Sequence, residues 1–175
     1  MLETNDHAPL WICHAFDGRG AGGDRFVTPR CEERIDVLLV EDNPGDVRLT
    51  REAVDDLATE TAIHVATDGD EALETLSERR ASDERSMPDL VFLDLNLPRM
   101  GGLEFLEAIE DDPELAPIPV LVLTSSAAAE DVLESYELAA NAYLTKPTDL
   151  DEYAEMVEAI ADFWFQRAAL PALPS

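Results

Sequence analysis

Ile35-Asp36-Val37-Leu38-Leu39-Val40-Glu41-Asp42-Asn43-Pro44 decides how the rest of the chain is read. Its apolar run is continuous and not alternating, which suits a strand covered on both faces. Two acids end it. Asn43 then stands where an N-cap belongs, with Pro44 at the first helical position. The stretch therefore reads as strand, short loop and helix start. That helix is expected to run to about Leu57 and to bury Val47, Val54 and Leu57.

The same unit recurs along the chain. Further apolar runs lie at Ala62–Ala66, Leu90–Leu93, Val120–Leu123 and Ala142–Leu144. Amphipathic segments alternate with them. Asp68 caps a second helix that turns Ala72, Leu73 and Leu76 inward. A polar loop through Ser82–Pro88 follows. A third helix starts near Gly102 and buries Leu103, Leu106 and Ile109. A fourth follows Ser125-Ser126 and carries Val132, Leu133 and Tyr136. A fifth follows Thr148-Asp149 and carries Tyr153, Val157, Ile160 and Trp164. Five strand–helix units in succession predict an α/β fold with a parallel sheet and right-handed crossovers. Residues 1–34 lack either period and hold a Gly18-Arg19-Gly20-Ala21-Gly22-Gly23 stretch, so they read as a flexible tail, or as an upstream extension with a later start such as Val27. Residues 166–175 form a short C-terminal extension.

Composition narrows the function. The chain has 175 residues, a net charge of -27 and 46% hydrophobic residues. That is enough apolar material for a core, and far too little positive charge for nucleic acid or an anionic membrane. The carboxylates are spread through the chain and interleaved with apolar positions, which is not the pattern of disorder. A high-salt cytoplasm, where salt screens self-repulsion, accounts for such a surface, and a halophilic origin is the working hypothesis. No signal peptide or membrane-spanning run is seen, so a cytoplasmic protein is expected. Cys13 and Cys31 make no disulfide framework, and with His7 and His14 they fit no closed zinc pattern.

In an open parallel sheet, ligands bind beyond the carboxyl ends of the strands. Glu41 and Asp42 follow the first strand, Asp94 follows the third, Thr124 ends the fourth, and the fifth leads to Lys146, the only lysine in the chain. Three carboxylates, a hydroxyl and an ammonium thus converge on one edge. Carboxylates so placed repel one another without a cation, and oxygen ligands on a compact site favour Mg²⁺. One carboxylate is then left as a nucleophile toward a phosphoryl group. Asp94 is the best placed, ending the most hydrophobic strand. Lys146 and the metal would neutralise charge on the phosphoryl oxygens, and Thr124 would donate to another of them.

These blocks resemble the receiver domain of two-component response regulators. The resemblance runs through Val37–Asn43, Val91–Gly102, Pro119–Ser125 and Ala142–Pro147, in order and at family spacing, and spans residues 35–165. Glu41–Asp46 and Ser135–Asn141 look most like small stand-alone regulators that partner phytochrome-type kinases. The resemblance implies a flavodoxin-like (βα)5 doubly wound sheet of strand order 2-1-3-4-5. It implies a phospho-acceptor and not an enzyme, with Asp94 accepting the phosphoryl group from a histidine kinase. Asp42 would ligate Mg²⁺ directly, Glu41 mostly through water, and the Asn96 carbonyl would be a further ligand. Thr124 and Tyr143 would be the switch pair, Lys146 the ion-pair partner, and the Lys146–Pro147 bond is often cis in this family. Asn96 and Ser126 flank the site and would tune self-dephosphorylation by placing water.

Output would pass through a downstream protein, by way of helix four, strand five and helix five. Phe163-Trp164-Phe165 cannot all face one sheet from a regular helix, so a tuck or a partner is expected there, and a homodimer through this face is the reading adopted. Two rivals stand beside it. A haloacid-dehalogenase-type phosphohydrolase would want a second Asp at position 96, where Asn96 stands. A phosphorylation-independent interaction module would not need the full acidic set. The halophile hypothesis predicts that the melting temperature rises from dilute to molar KCl; greater stability at low salt would refute it.

Overall fold

The computed structural model describes residues 34–170, apart from residues 58, 83–86 and 169. The expected tail, with its cysteines and glycine-rich stretch, lies outside the described residues except for Arg34, as does most of the C-terminal extension. Five strand–helix units follow in order. They are β1 (Ile35–Val40), α1 (Pro44–Asp55), β2 (Thr61–Ala66), α2 (Gly69–Arg80), β3 (Leu90–Leu93), α3 (Gly102–Asp111), β4 (Val120–Thr124), α4 (Ala129–Glu137), β5 (Ala140–Thr145) and α5 (Leu150–Ala161). All pairings are parallel and the sheet order is β2-β1-β3-β4-β5, as expected from the resemblance.

The continuous apolar runs bury both faces of the sheet. Leu38, Val40, Val91, Leu93 and Val122 pack under α2 and α3 with Ala72, Leu76, Phe105, Leu106 and Ile109. Val37, Leu39, Leu90, Phe92, Leu121 and Leu123 point the other way, where α1 and α5 pack together. Each such side chain contributes about 1.5–3 kcal/mol on leaving water. The caps fall where the sequence puts them. Asn43 Oδ1 accepts from Gly45 N–H at 2.9 Å and Asp68 Oδ1 from Glu71 N–H at 2.9 Å. At α3 the cap is only half built, with Glu104 accepting from Gly101 N–H at 2.9 Å.

Two expectations, on α1 and α3, need correction. α1 ends at Asp55, short of Leu57, and its buried positions are Thr50, Ala53 and Val54. α4 buries only Ser135, with Val132 half-buried and Leu133 61% and Tyr136 53% exposed. Phe105, which periodicity passed over, is fully buried, while Leu103 is only half-buried.

Beyond Ala161 the helix widens into a π-helical turn over Asp162–Arg167. The wider turn brings the adjacent Trp164 and Phe165 onto one face, where both pack against the β1/β3/β4 cluster, and leaves Phe163 52% exposed. Both the tuck and an exposed aromatic are therefore present. On the outer strand β5, a bulge lets Asn141 Oδ1 accept from Val120 N–H at 2.7 Å, and the Tyr136 hydroxyl accepts from Tyr143 N–H at 3.2 Å. At the opposite end of the sheet from the strand-end acids, buried Arg79 grips Asp36 at 3.0 Å. Among the described residues no helix is long and apolar enough to cross a membrane.

Gly102 carries the turn from β3 into α3 against the backbone of the Asp94–Leu95 loop. A Cβ there would stand 2.5 Å from the Asp94 carbonyl oxygen and 2.6 Å from Leu95 Cα, whereas one at Gly101 would meet nothing nearer than 3.7 Å. Gly102→Ala is expected to lose roughly 2–3 kcal/mol in urea unfolding, with Gly101→Ala close to wild type.

Candidate functional site

The register builds the site. Val40 pairs with Leu93 across β1 and β3, so the residues that follow them, Glu41 and Asp94, emerge side by side. Asp94 N–H donates to the Val40 carbonyl at 3.0 Å and Glu41 N–H to the Ala66 carbonyl at 2.9 Å, which fixes both backbones at the sheet edge. Two strands further on, Lys146 N–H donates to the Thr124 carbonyl at 2.8 Å. The four expected strand ends therefore meet. Oxygens of Glu41, Asp42 and Asp94 lie within 4.8 Å of one another, and among the described residues this is the one group of three acids so placed. Glu41 and Asp94 are buried, while Asp42 is exposed. An all-oxygen set with one open side fits a hard divalent cation that keeps part of its water.

The ammonium of Lys146 lies among these acids. It donates to Glu41 Oε2, to Asp46 Oδ2 at 2.8 Å and to Asp94 Oδ2 at 3.1 Å. Burial works against the charged amine, but the hydrogen bonds to Asp46 and Glu41 and the charges of Glu41 and Asp94 outweigh it. Its pKa is raised and it stays protonated. Burial pushes the Glu41 carboxyl up, and the bonds from Lys146 and Asn43 offset this only in part.

Asp46 was not singled out from the sequence. In the first turn of α1 it reads as an ordinary acid at a helix N-terminus, and only the path of the Lys146 side chain reveals it. The Lys146–Pro147 bond is trans, as are all described peptide bonds. Trans is the lower-energy form for X-Pro unless packing selects cis.

Asp94 Oδ1 accepts from Asn96 N–H at 3.1 Å. The Asn96 side-chain amide donates to Thr124 Oγ1 at 3.2 Å, and Ser126 N–H donates to the same oxygen at 3.3 Å. Fully buried Thr124 thus accepts twice, which leaves its own proton to give. Tyr143 is half-buried against the α2/α3 cluster, and its hydroxyl donates to the Ser126 carbonyl at 2.9 Å. Burial raises its pKa. The aromatic therefore holds the β4–α4 loop. Ser126 Oγ in turn donates to Asp131 Oδ2 at 2.5 Å. The loop after Asp94 is pinned separately. Arg99, in the left-handed region at φ 59°, reaches the buried carboxylate of Asp68, and Gly69 N–H donates to the Met100 carbonyl at 3.1 Å.

Known proteins share this fold. The family model described as the response regulator receiver domain matches residues 37–158. Response regulator Rcp1 of Synechocystis sp. is 40% identical over 136 residues, covering 78% of this chain and 92% of that protein. The crystal structure of the phosphorylated cyanobacterial phytochrome response regulator RcpA superposes with a TM-score of 0.75 at 39% identity, over 80% of this chain and all (100%) of that one. The Mn²⁺-bound form of Rcp1 gives 0.73 at 39% identity, over 79% and 99% of the two chains. A likeness that covers most of the described chain, in sequence and in fold, leaves one conclusion: the protein belongs to the response regulator receiver domain family.

Proposed function

We propose that the protein is a single-domain response regulator, its receiver unit spanning residues 35–165, that accepts a phosphoryl group on Asp94 from the phosphohistidine of a histidine kinase. The observation that carries this is the placement of Asp94 beside Glu41 and Asp42 and under the Lys146 ammonium. A carboxylate oxygen of Asp94 attacks phosphorus. The P–N bond to the donor imidazole breaks, its electron pair returns to the ring nitrogen, and the product is an acyl phosphate. Glu41, Asp42, Asp94 and the Asn96 carbonyl would hold Mg²⁺, which supplies charge neutralisation at the phosphoryl oxygens. The Mn²⁺-bound Rcp1 structure supports a divalent ion at such a site. Lys146 pairs with Asp94 at rest and then with a phosphoryl oxygen, and Thr124 turns its unassigned proton toward another. Asn96 and Ser126 border the phosphoryl position and set how readily water reaches it.

Movement of Thr124 draws the Ser125–Ser126 loop with it, and Tyr143 follows through its bond to the Ser126 carbonyl. Thr124 and Tyr143 are thus the switch pair, and α4, β5 and α5 form the surface that changes. Exposed Leu133, Tyr136, Leu150 and Phe163 make that surface apolar, which supports a protein target and a homodimer through it. The charge of -27 speaks against nucleic acid as the target and for a halophilic cytoplasm.

Asp94→Asn is expected to abolish labelling by acetyl phosphate with Mg²⁺; stoichiometric labelling of the variant would rule the assignment out. Sedimentation is expected to show a mass that rises with concentration, more steeply with beryllofluoride. A monomer mass independent of concentration under both conditions would count against the dimer.

A further inference from the structure

We infer that Asp46 is a positioning residue of this site: it holds the Lys146 ammonium in the resting protein and gives it up when the phosphoryl group arrives. The inference rests on the reading of Asp94 as the acceptor. An ammonium has three protons to donate. Here all three are engaged, by Glu41, by Asp46 at 2.8 Å and by Asp94 at 3.1 Å. Phosphorylation replaces the single charge of the Asp94 carboxylate by a charge approaching two, carried on oxygens beyond the carboxylate. The ammonium follows the larger charge and must slacken one of its other contacts.

Burial decides which contact. The Glu41 side chain is 3% exposed, and stripping a buried carboxylate of its cation is costly. The Asp46 side chain is 30% exposed, so water replaces the ammonium there at little cost. Asp46 is also kept from following. Thr50 Oγ1 donates to the Asp46 carbonyl at 2.9 Å and lies 2.7 Å from the Tyr153 hydroxyl. Because Thr50 has given its single proton to Asp46, Tyr153 is the donor in that pair. Buried Tyr153 on α5 thus secures the first turn of α1, and the contact between Asp46 and Lys146 breaks instead of stretching. Asp46 competes with the phosphoryl group for one cation, so it weakens occupancy of the phosphorylated state.

A single lysine makes this testable, because side-chain ¹⁵N-lysine labelling gives one ammonium signal in the full chain. Beryllofluoride binding at saturating Mg²⁺ is compared in wild type and Asp46→Asn, at low and at molar KCl, with Asp46→Ser as the substitute if the first variant does not fold. The variant is expected to bind on the order of fivefold tighter at both salts, the size appropriate to a partly exposed ion pair. Its resting Lys146 signal is expected to lie displaced toward the position the wild type reaches with beryllofluoride. Equal or weaker binding, a gain that vanishes at molar KCl as a mere long-range field would, or an unmoved resting signal would each overturn the role of Asp46. Failure of the wild type itself to bind beryllofluoride would instead overturn the assignment of Asp94, and this inference with it.

Discussion

The ion cluster around the Lys146 ammonium is the constraint on which the site depends. Three carboxylates meet one amine at the end of a parallel sheet, and a fourth, Asp42, lies beside two of them. Acids this close cannot all stay ionised without positive charge among them. Burial alone would push the amine toward neutrality, and the acids reverse that. Acids and amine therefore depend on each other, and the chain folds with Asp94 already paired to Lys146. The sheet supplies the geometry, because parallel register sets the ends of β1 and β3 together. The cation supplies the reason that such a congested edge can exist.

Much of the fold was legible in the sequence because burial on two faces leaves continuous apolar runs, and four of these match their strands to within a residue at each end. Leu90–Leu93 is the plainest case, fully buried along its whole length. Glu41, Asp42, Asp94, Thr124 and Lys146 were legible because strand ends are fixed once strands are found. What was not legible depends on paths through space. Asp46 meets Lys146 across 100 residues, and nothing local to α1 announces it. Ala140 and Asn141 belong to β5 only because a bulge and a side-chain acceptor extend the strand backward. Amphipathic spacing in α4 does not say whether its apolar residues face the sheet or the solvent, and Leu133 and Tyr136 face the solvent while Val132 is half-buried.

The C-terminal turn shows a local conflict resolved by backbone geometry. Three aromatics in a row exceed what one face of an α-helix can bury. Widening the helix recovers two of them for the core, and the third joins the apolar residues of α4 and α5 on the outside. The same sequence feature therefore serves packing on one side and leaves an exposed ring on the other.

The bond from the backbone of Tyr143 to the hydroxyl of Tyr136 bears on more than α4 and β5. An outer strand with vacant amides is a template on which foreign chains polymerise, and proteins commonly shield such flanks with a covering element. Here the shield is a phenol carried by α4. One side-chain hydroxyl thereby guards part of the flank against fibril growth, and any shift of α4 would bare that amide.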